Sequence, residues 1–275
     1  MPLGFPVESF ASALEYRAQP DDIFIATYPK CGTTWTQYIL YLLLNQGVPL
    51  GANQRLGDAI PHLEDAGRNV VEALPRPRAI KTHLPYSMTP SNAEAKYVWV
   101  ARNPFDCVVS FYNHTRGFDT HYDFSSGTFD DYFECFFAGE VDSGDYFDHL
   151  TSWWEHRNDP NVLFLTYEAM KMDTRKAILS ISEFLRLSAA SDEEVLSRTV
   201  EHSAIVNMRK DQGRWSSRRP KDKPTFVHKG IVGDWENYFS ASQASRLVQK
   251  FEDAADVAGF GGLWPEVIEA AKRMS

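Results

Sequence analysis

Three short segments of the chain carry residue types that could do chemistry on an anion. The first, Tyr28-Pro29-Lys30-Cys31-Gly32-Thr33-Thr34-Trp35, follows the apolar run 23–27 and leads into a segment of helical apolar spacing over 33–45. Gly32 lets the backbone turn closely, and Thr33 and Thr34 bring hydroxyls to the first helical positions. The N–H groups of a helix start then face whatever the loop encloses, and phosphate is the ligand that suits them. The second segment is Lys81-Thr82-His83-Leu84-Pro85, at the end of the apolar run 78–82. Histidine titrates near neutral pH and can serve as a general base. At the carboxyl edge of a parallel sheet it would stand where open α/β folds bind ligands. The third pairs Arg102, just after the run 97–101, with Ser110 eight residues on. Guanidinium offers phosphate a planar, permanently charged fork, to which a hydroxyl adds a hydrogen bond. Taken singly, each segment has a plainer reading: a helix cap with a solvated lysine, a structural histidine, a surface arginine.

These residues can act together only if the fold brings them to one place. The runs 23–27, 78–82, 97–101 and 162–166 are apolar at consecutive positions, which predicts strands buried on both faces. Helical spacing falls between and around them, over 33–45, 104–116, 129–138 and 146–157. Pro104 sits where a first helical turn tolerates it, and Asp173-Thr174 are candidate caps for a further periodic stretch over 176–187. Strand and helix in alternation predict an α/β fold: a single domain over residues 1–275, with a central parallel sheet flanked by helices.

At 275 residues the chain can bury about three quarters of its unfolded surface. Its 28 Lys and Arg against 37 Asp and Glu leave a net charge of −9, which argues against whole-surface attraction to nucleic acid or anionic lipid. An anionic ligand must then find a local basic pocket. One stretch supplies it: residues 208–229 carry a charge of +6 against −15 for the remainder, in a Gly, Ser and Pro-containing loop. Cys31, Cys107 and Cys135 form neither a disulfide framework nor a C-x-x-C pair, which fits a reducing cytoplasm. No His, Cys or carboxylate cluster has metal-ligand spacing, no basic leader opens the chain, and the longest apolar run, 38–44, is too short to span a bilayer. The composition thus predicts a soluble, cytoplasmic protein of enzyme size. The pattern G-x-x-x-x-G-K-[ST] is absent, and with it any Gly-Lys pair, which disfavours an ATP-dependent phosphotransferase. A non-catalytic nucleotide-binding protein would leave Lys81 and His83 without a purpose.

The string Tyr-Pro-Lys-x-Gly-Thr-Thr-Trp resembles the P-loop-like 5′-phosphosulfate-binding loop of the cytosolic sulfotransferases. These enzymes move a sulfonyl group from 3′-phosphoadenosine 5′-phosphosulfate (PAPS) to small hydroxyl or amine acceptors. Lys81-Thr82-His83-Leu84-Pro85 resembles the family's catalytic-histidine segment without a change, and Arg102-x₇-Ser110 its 3′-phosphate clamp. Tyr167 stands where the family places a tyrosine beside the adenosine. The segment from Glu201 to Ile205, with Ser203, resembles the adenine-contacting one, although an aromatic is common where Ile205 stands. His228-Lys229-Gly230, followed by Gly233-Asp234-Trp235, resembles the Arg-Lys-Gly segment that closes over the 3′-phosphate, with histidine in place of arginine.

The resemblance implies PAPS as co-substrate, the desulfonated nucleotide (PAP) as product, and no metal. It makes His83 the base toward the acceptor, Lys30 the group on the oxygen bridging to the 5′-phosphate, and Lys81 the counter-charge to the sulfonyl group. It gives the 5′-phosphate the N–H groups from Cys31 through Gly32, Thr33 and Thr34 to Trp35, with the two threonine hydroxyls. Ser110 would serve twice, on the 3′-phosphate and in steering Lys30. Aromatics over 112–124 and 132–146, with Phe111, would line an acceptor pocket suited to phenols. Asp119 and Asp123 could pair there with an ammonium, as in a catecholamine. The family's dimer motif, Lys-x₃-Thr-Val-x₃-Glu, is replaced by Glu236, Ser240-Ala241 and Ser245, which predicts a monomer or a dimer through another surface.

Overall fold

Four strands, β1 (Ile23–Thr27), β2 (Ala79–Thr82), β3 (Lys96–Ala101) and β4 (Val162–Thr166), pair in parallel in the order β2-β1-β3-β4. They belong to a computed structural model that describes residues 6–118, 121–215, 227 and 230–274. In the inner strands the consecutive apolar residues do what their spacing predicts: all five of β1 are buried and five of the six of β3, whereas β4, at the sheet edge, buries only Val162 and leaves its other four residues partly exposed. Phe24 and Ala26 point to one face with Tyr97 and Trp99, while Ile23 and Ile25 point to the other, as Val98 and Val100 do. A strand covered on both sides has no polar face to alternate with.

The longer helices are α1 (Val7–Leu14), α2 (Thr33–Leu44), α3 (Pro104–Arg116), α4 (Phe129–Ala138), α5 (Tyr146–Trp154), α6 (Thr174–Phe184), α7 (Glu193–Ser203), α8 (Ala241–Ala258) and α9 (Pro265–Met274). Phe105 of α3, Phe133 of α4, Trp153 of α5 and Phe251 of α8 cover the Phe24/Trp99 face. Ile39 of α2, Ile178 of α6 and Val195 of α7 pack with Val98 and Val100 on the other. Local chemistry sets the ends. Asn103 accepts from the Asp106 N–H with Pro104 in the first turn, and Asp173 accepts from the Lys176 N–H, so that α6 begins at Thr174, two residues before its apolar periodicity does. α5 closes at Trp154, short of the predicted 157, and α2 at Leu44. None of these helices is long and apolar enough to cross a membrane.

The strand order matters more for function. From β1 the chain passes to β2 on one side, and β3 returns to the other side of β1 and leads outward to β4. The carboxyl ends of β1 and β3 therefore flank a switch point, where helices on opposite faces leave a crevice. Residues 28–32 follow β1 there, and Arg102 follows β3.

Candidate active site

The loop after β1 reverses twice within three residues. Lys30 has φ 70° and Gly32 φ 95°, both left-handed. Glycine is required at 32 for a second reason, since a Cβ there would stand 2.8 Å from the Tyr167 ring. α2 then starts with no side-chain cap, and its first backbone bond runs from the Thr36 N–H to the Gly32 carbonyl. The N–H groups of Thr33, Thr34 and Trp35 precede that bond and have no backbone partner among the described residues. They form an anion-binding helix start.

His83 leaves β2 one strand away. Its backbone N–H donates to Glu64 Oε1 at 2.6 Å, and its ring Nδ1 lies 2.7 Å from the Thr27 carbonyl oxygen. A carbonyl can only accept, so Nδ1 carries the proton and Nε2 keeps its lone pair. The next residues are pinned as well, by the Trp153 indole N–H on the Leu84 carbonyl and by Ser152 on the Tyr86 N–H. Burial, then Lys81, then His62 hold the His83 imidazole well below its ordinary range, so it is neutral near pH 7. Burial also depresses Lys81, to about 8, against the opposing pull of Glu64 and Asp65. The His62 ring meets His83 edge-on at 4.8 Å, and its Nε2 lies 3.2 Å from Glu64 Oε1.

Arg102 closes the other side of the crevice. Its guanidinium lies 4.5 Å over the Tyr167 ring and donates to the carbonyls of Lys30 at 3.2 Å and Ile231 at 3.3 Å. Its Nε is buried and finds no hydrogen-bond partner among the described residues. Such an orphaned cationic donor in a cavity wall calls for an anion. Trp35 meets Tyr167 edge-on at 5.7 Å, and Gly230, at φ 61°, allows the chain to pass Ile205, whose Cδ1 would lie 1.8 Å from an added Cβ. Asp106 fastens the following segment through the N–H groups of Gly233 and Trp235.

One cavity of about 820 Å³ takes in these groups. Lys30, Gly32, Thr33, Thr34 and Trp35 line it from the β1 loop, and Lys81 and His83 from β2. Arg102, Ser110, Tyr167, Ile205 and Gly230 complete the phosphate and adenosine side suggested by the sequence. Two predicted residues do not reach it. Cys31 is fully buried, its N–H donates to the Tyr28 carbonyl, and its thiol lies 3.7 Å from that of Cys107, so it builds the loop from behind. Ser203 is also buried, its hydroxyl bonding Val200 and its carbonyl accepting from the Trp35 indole N–H. Thr33 lines the cavity, but its hydroxyl lies 2.6 Å from that of Thr27, tying loop to strand. Asp119, His228 and Lys229 lie outside the described residues.

The far end is aromatic. Phe111, Phe118 and Tyr122 line it, whereas Tyr112, Phe133, Phe136 and Tyr146 are core. Asp123 is exposed and away from the cavity. Asp142 also lines the cavity and accepts from the Tyr122 hydroxyl. Lys30 extends its ammonium to within 3.2 Å of His114 Nδ1, and among the described residues no bond joins it to Ser110. His62, Glu64, His114 and Asp142 carry no motif of their own. Only His114 left a trace in the sequence, as the residue one helical turn after Ser110. Among the described residues, no three His, Cys, Asp or Glu groups gather as a metal site.

Residues 20–261 match the model of the sulfotransferase domain. Mouse sulfotransferase 1B1 is 35% identical over 255 residues, covering 85% of this chain and 82% of its own. The amine sulfotransferase of the rabbit, Oryctolagus cuniculus, is 35% identical over 249 residues, covering 87% of this chain and 82% of its own. The crystal structure of mouse sulfotransferase SULT7A1 complexed with PAP aligns with a TM-score of 0.75 at 28% identity, over 98% of this chain and 95% of that one.

Proposed function

Because the chain belongs to the sulfotransferase family, we propose that it transfers the sulfonyl group of PAPS to the hydroxyl or amine of a small acceptor, a phenol or phenolic amine, with His83 as base. The observation that carries this reading is the fixed tautomer of His83: with Nδ1 committed to Thr27, Nε2 is the nitrogen available to take an acceptor's proton. The binding of PAP by the mouse relative, and the orphaned Nε of Arg102 in this cavity wall, support the nucleotide assignment.

PAPS supplies a sulfur bonded to a phosphate oxygen that departs with the electron pair. The N–H groups of Thr33, Thr34 and Trp35 would hold the 5′-phosphate, and Arg102 with Ser110 the 3′-phosphate. Trp35 and Tyr167 would bracket the adenosine, with Ile205 and Gly230 closing over it. As His83 Nε2 takes the acceptor's proton, Lys30 donates to the oxygen on which negative charge gathers. Lys81 stands beside His83 as counter-charge to the moving sulfonyl group. Phe111, Phe118 and Tyr122 would hold an aromatic ring, with Asp142, bonded to Tyr122, a carboxylate for an acceptor ammonium.

Thermal unfolding tests the nucleotide assignment. PAP is expected to raise the melting temperature, and ATP with Mg²⁺ or an oligonucleotide to leave it unmoved; a shift with ATP alone would point to a phosphotransferase instead. Labelled PAPS offered with tyramine and 4-ethylphenol then reads the acceptor, and equal turnover of both would remove Asp142 from its recognition.

The pH profile tests Lys81. Its ammonium is charged below about pH 8 and neutral above, while His83 is already a free base at neutral pH. The value of kcat/KM for PAPS, which reports the free enzyme, is therefore expected to hold level through neutral pH and fall above about 8. Lys81→Arg should carry the plateau to higher pH. The same alkaline limb in that variant would show that another group titrates.

A further inference from the structure

His114 has no part in the reaction as described, yet it touches the lysine on which that reaction depends. It lies four residues after Ser110 on α3, and both side chains line the cavity. The Lys30 Nζ stands 3.2 Å from His114 Nδ1. An ammonium has three protons to donate and no lone pair, so the ring nitrogen accepts. His114 is thus neutral, with its own proton on Nε2. The root of Lys30 is already set by its left-handed backbone, φ 70°. The four-carbon stem beyond it has many rotamers, and a bond at the tip narrows them. The His114 ring is itself confined, with Phe111 at 6.2 Å and Phe118 at 4.8 Å between centroids.

We propose that His114 is a positioning residue for Lys30, doing from the next helical turn the steering that the family resemblance implies for Ser110. By accepting one ammonium proton it gives the Nζ a fixed direction, so the cation needs less ordering as charge develops. This assignment rests on the role given to Lys30 above, and the tests separate the two.

A double-mutant cycle reads the coupling, with labelled PAPS and the better of tyramine and 4-ethylphenol. His114→Leu is expected to lower kcat by about ten- to a hundredfold with little change in KM for PAPS. In a Lys30→Met background the same change is expected to cost nothing further. His114→Asn, which keeps an acceptor near the Nδ1 position, should restore most of the rate. Equal losses in both backgrounds would overturn the proposal, as would an asparagine variant that melts like the wild type but turns over like the leucine one.

A second readout stands apart from turnover. In ¹⁵N-histidine spectra at neutral pH, His114 should appear as the Nε2–H tautomer in the wild type, with an Nδ1 resonance that moves in Lys30→Met as its donor is lost. A wild-type His114 protonated on Nδ1 would end the assignment even if PAPS were not the donor. Absence of sulfonyl transfer, with this tautomer in place, would instead count against the reading of the whole site.

Discussion

His83→Ala is expected to lower kcat by roughly 10²- to 10⁴-fold while PAP still binds, because the variant loses the base and keeps every group assigned to the nucleotide. The imidazole enters with its tautomer set by the Thr27 carbonyl and its backbone set by Glu64. Neutral water, the remaining acceptor for the proton, is a far weaker base than imidazole. The side chain is not a pillar of the core: it lines the cavity, so its removal widens space already open to solvent. Loss of rate with PAP affinity intact is therefore the signature to look for, measured by initial rates with labelled PAPS and by calorimetric titration with PAP. His83→Asn refines the result, since asparagine can still donate to Thr27 but cannot take a proton at neutral pH. Turnover near the wild-type rate in either variant would remove His83 as the base.

Lys30→Met is expected to cost about 10²- to 10³-fold in kcat, the loss seen when one preorganised donor to a developing oxyanion is removed, or about 2.7–4 kcal/mol. Methionine nearly matches lysine in length and flexibility, and both accept the same left-handed backbone with similar reluctance, so the change isolates the charge. The effect should fall on kcat more than on KM, because the charge that Lys30 stabilises appears only as the sulfur–oxygen bond breaks. A rise in KM with kcat unchanged would mean that the ammonium merely holds the ground-state phosphate. Circular dichroism and the PAP-induced melting shift, both expected to persist, separate a chemical loss from a folding one.

Much of this site is legible in the sequence because backbone requirements leave local marks. Gly32 and the two threonines after β1, the proline and asparagine at the start of α3, and runs too apolar for a one-sided sheet each report a conformation of a few adjacent residues. Strand, loop and helix then follow in order, and His83 and Arg102 fall just past the strand ends, where a parallel sheet presents them. The partners of those residues leave no comparable mark. Glu64 lies in a single-turn helix without a motif, and nothing in the sequence says that it will hold the His83 backbone. Cys31 and Ser203 show the reverse: they sit within recognised segments, yet the chain turns one toward Cys107 and the other behind Trp35.

The sequence by itself determined the four strands, the helix start that offers N–H groups to an anion, and the family. These follow from periodicity, caps and glycine positions, which act over a few residues and are the same wherever the segment is placed. The tertiary structure alone decided that His83 carries its proton on Nδ1, that Lys81 titrates near 8, and that Lys30 meets His114. Each of these depends on which atoms from distant parts of the chain come within about 3 Å, or on how much water their packing removes, and short-range forces of that kind are set only once the sheet order has brought the strand ends together.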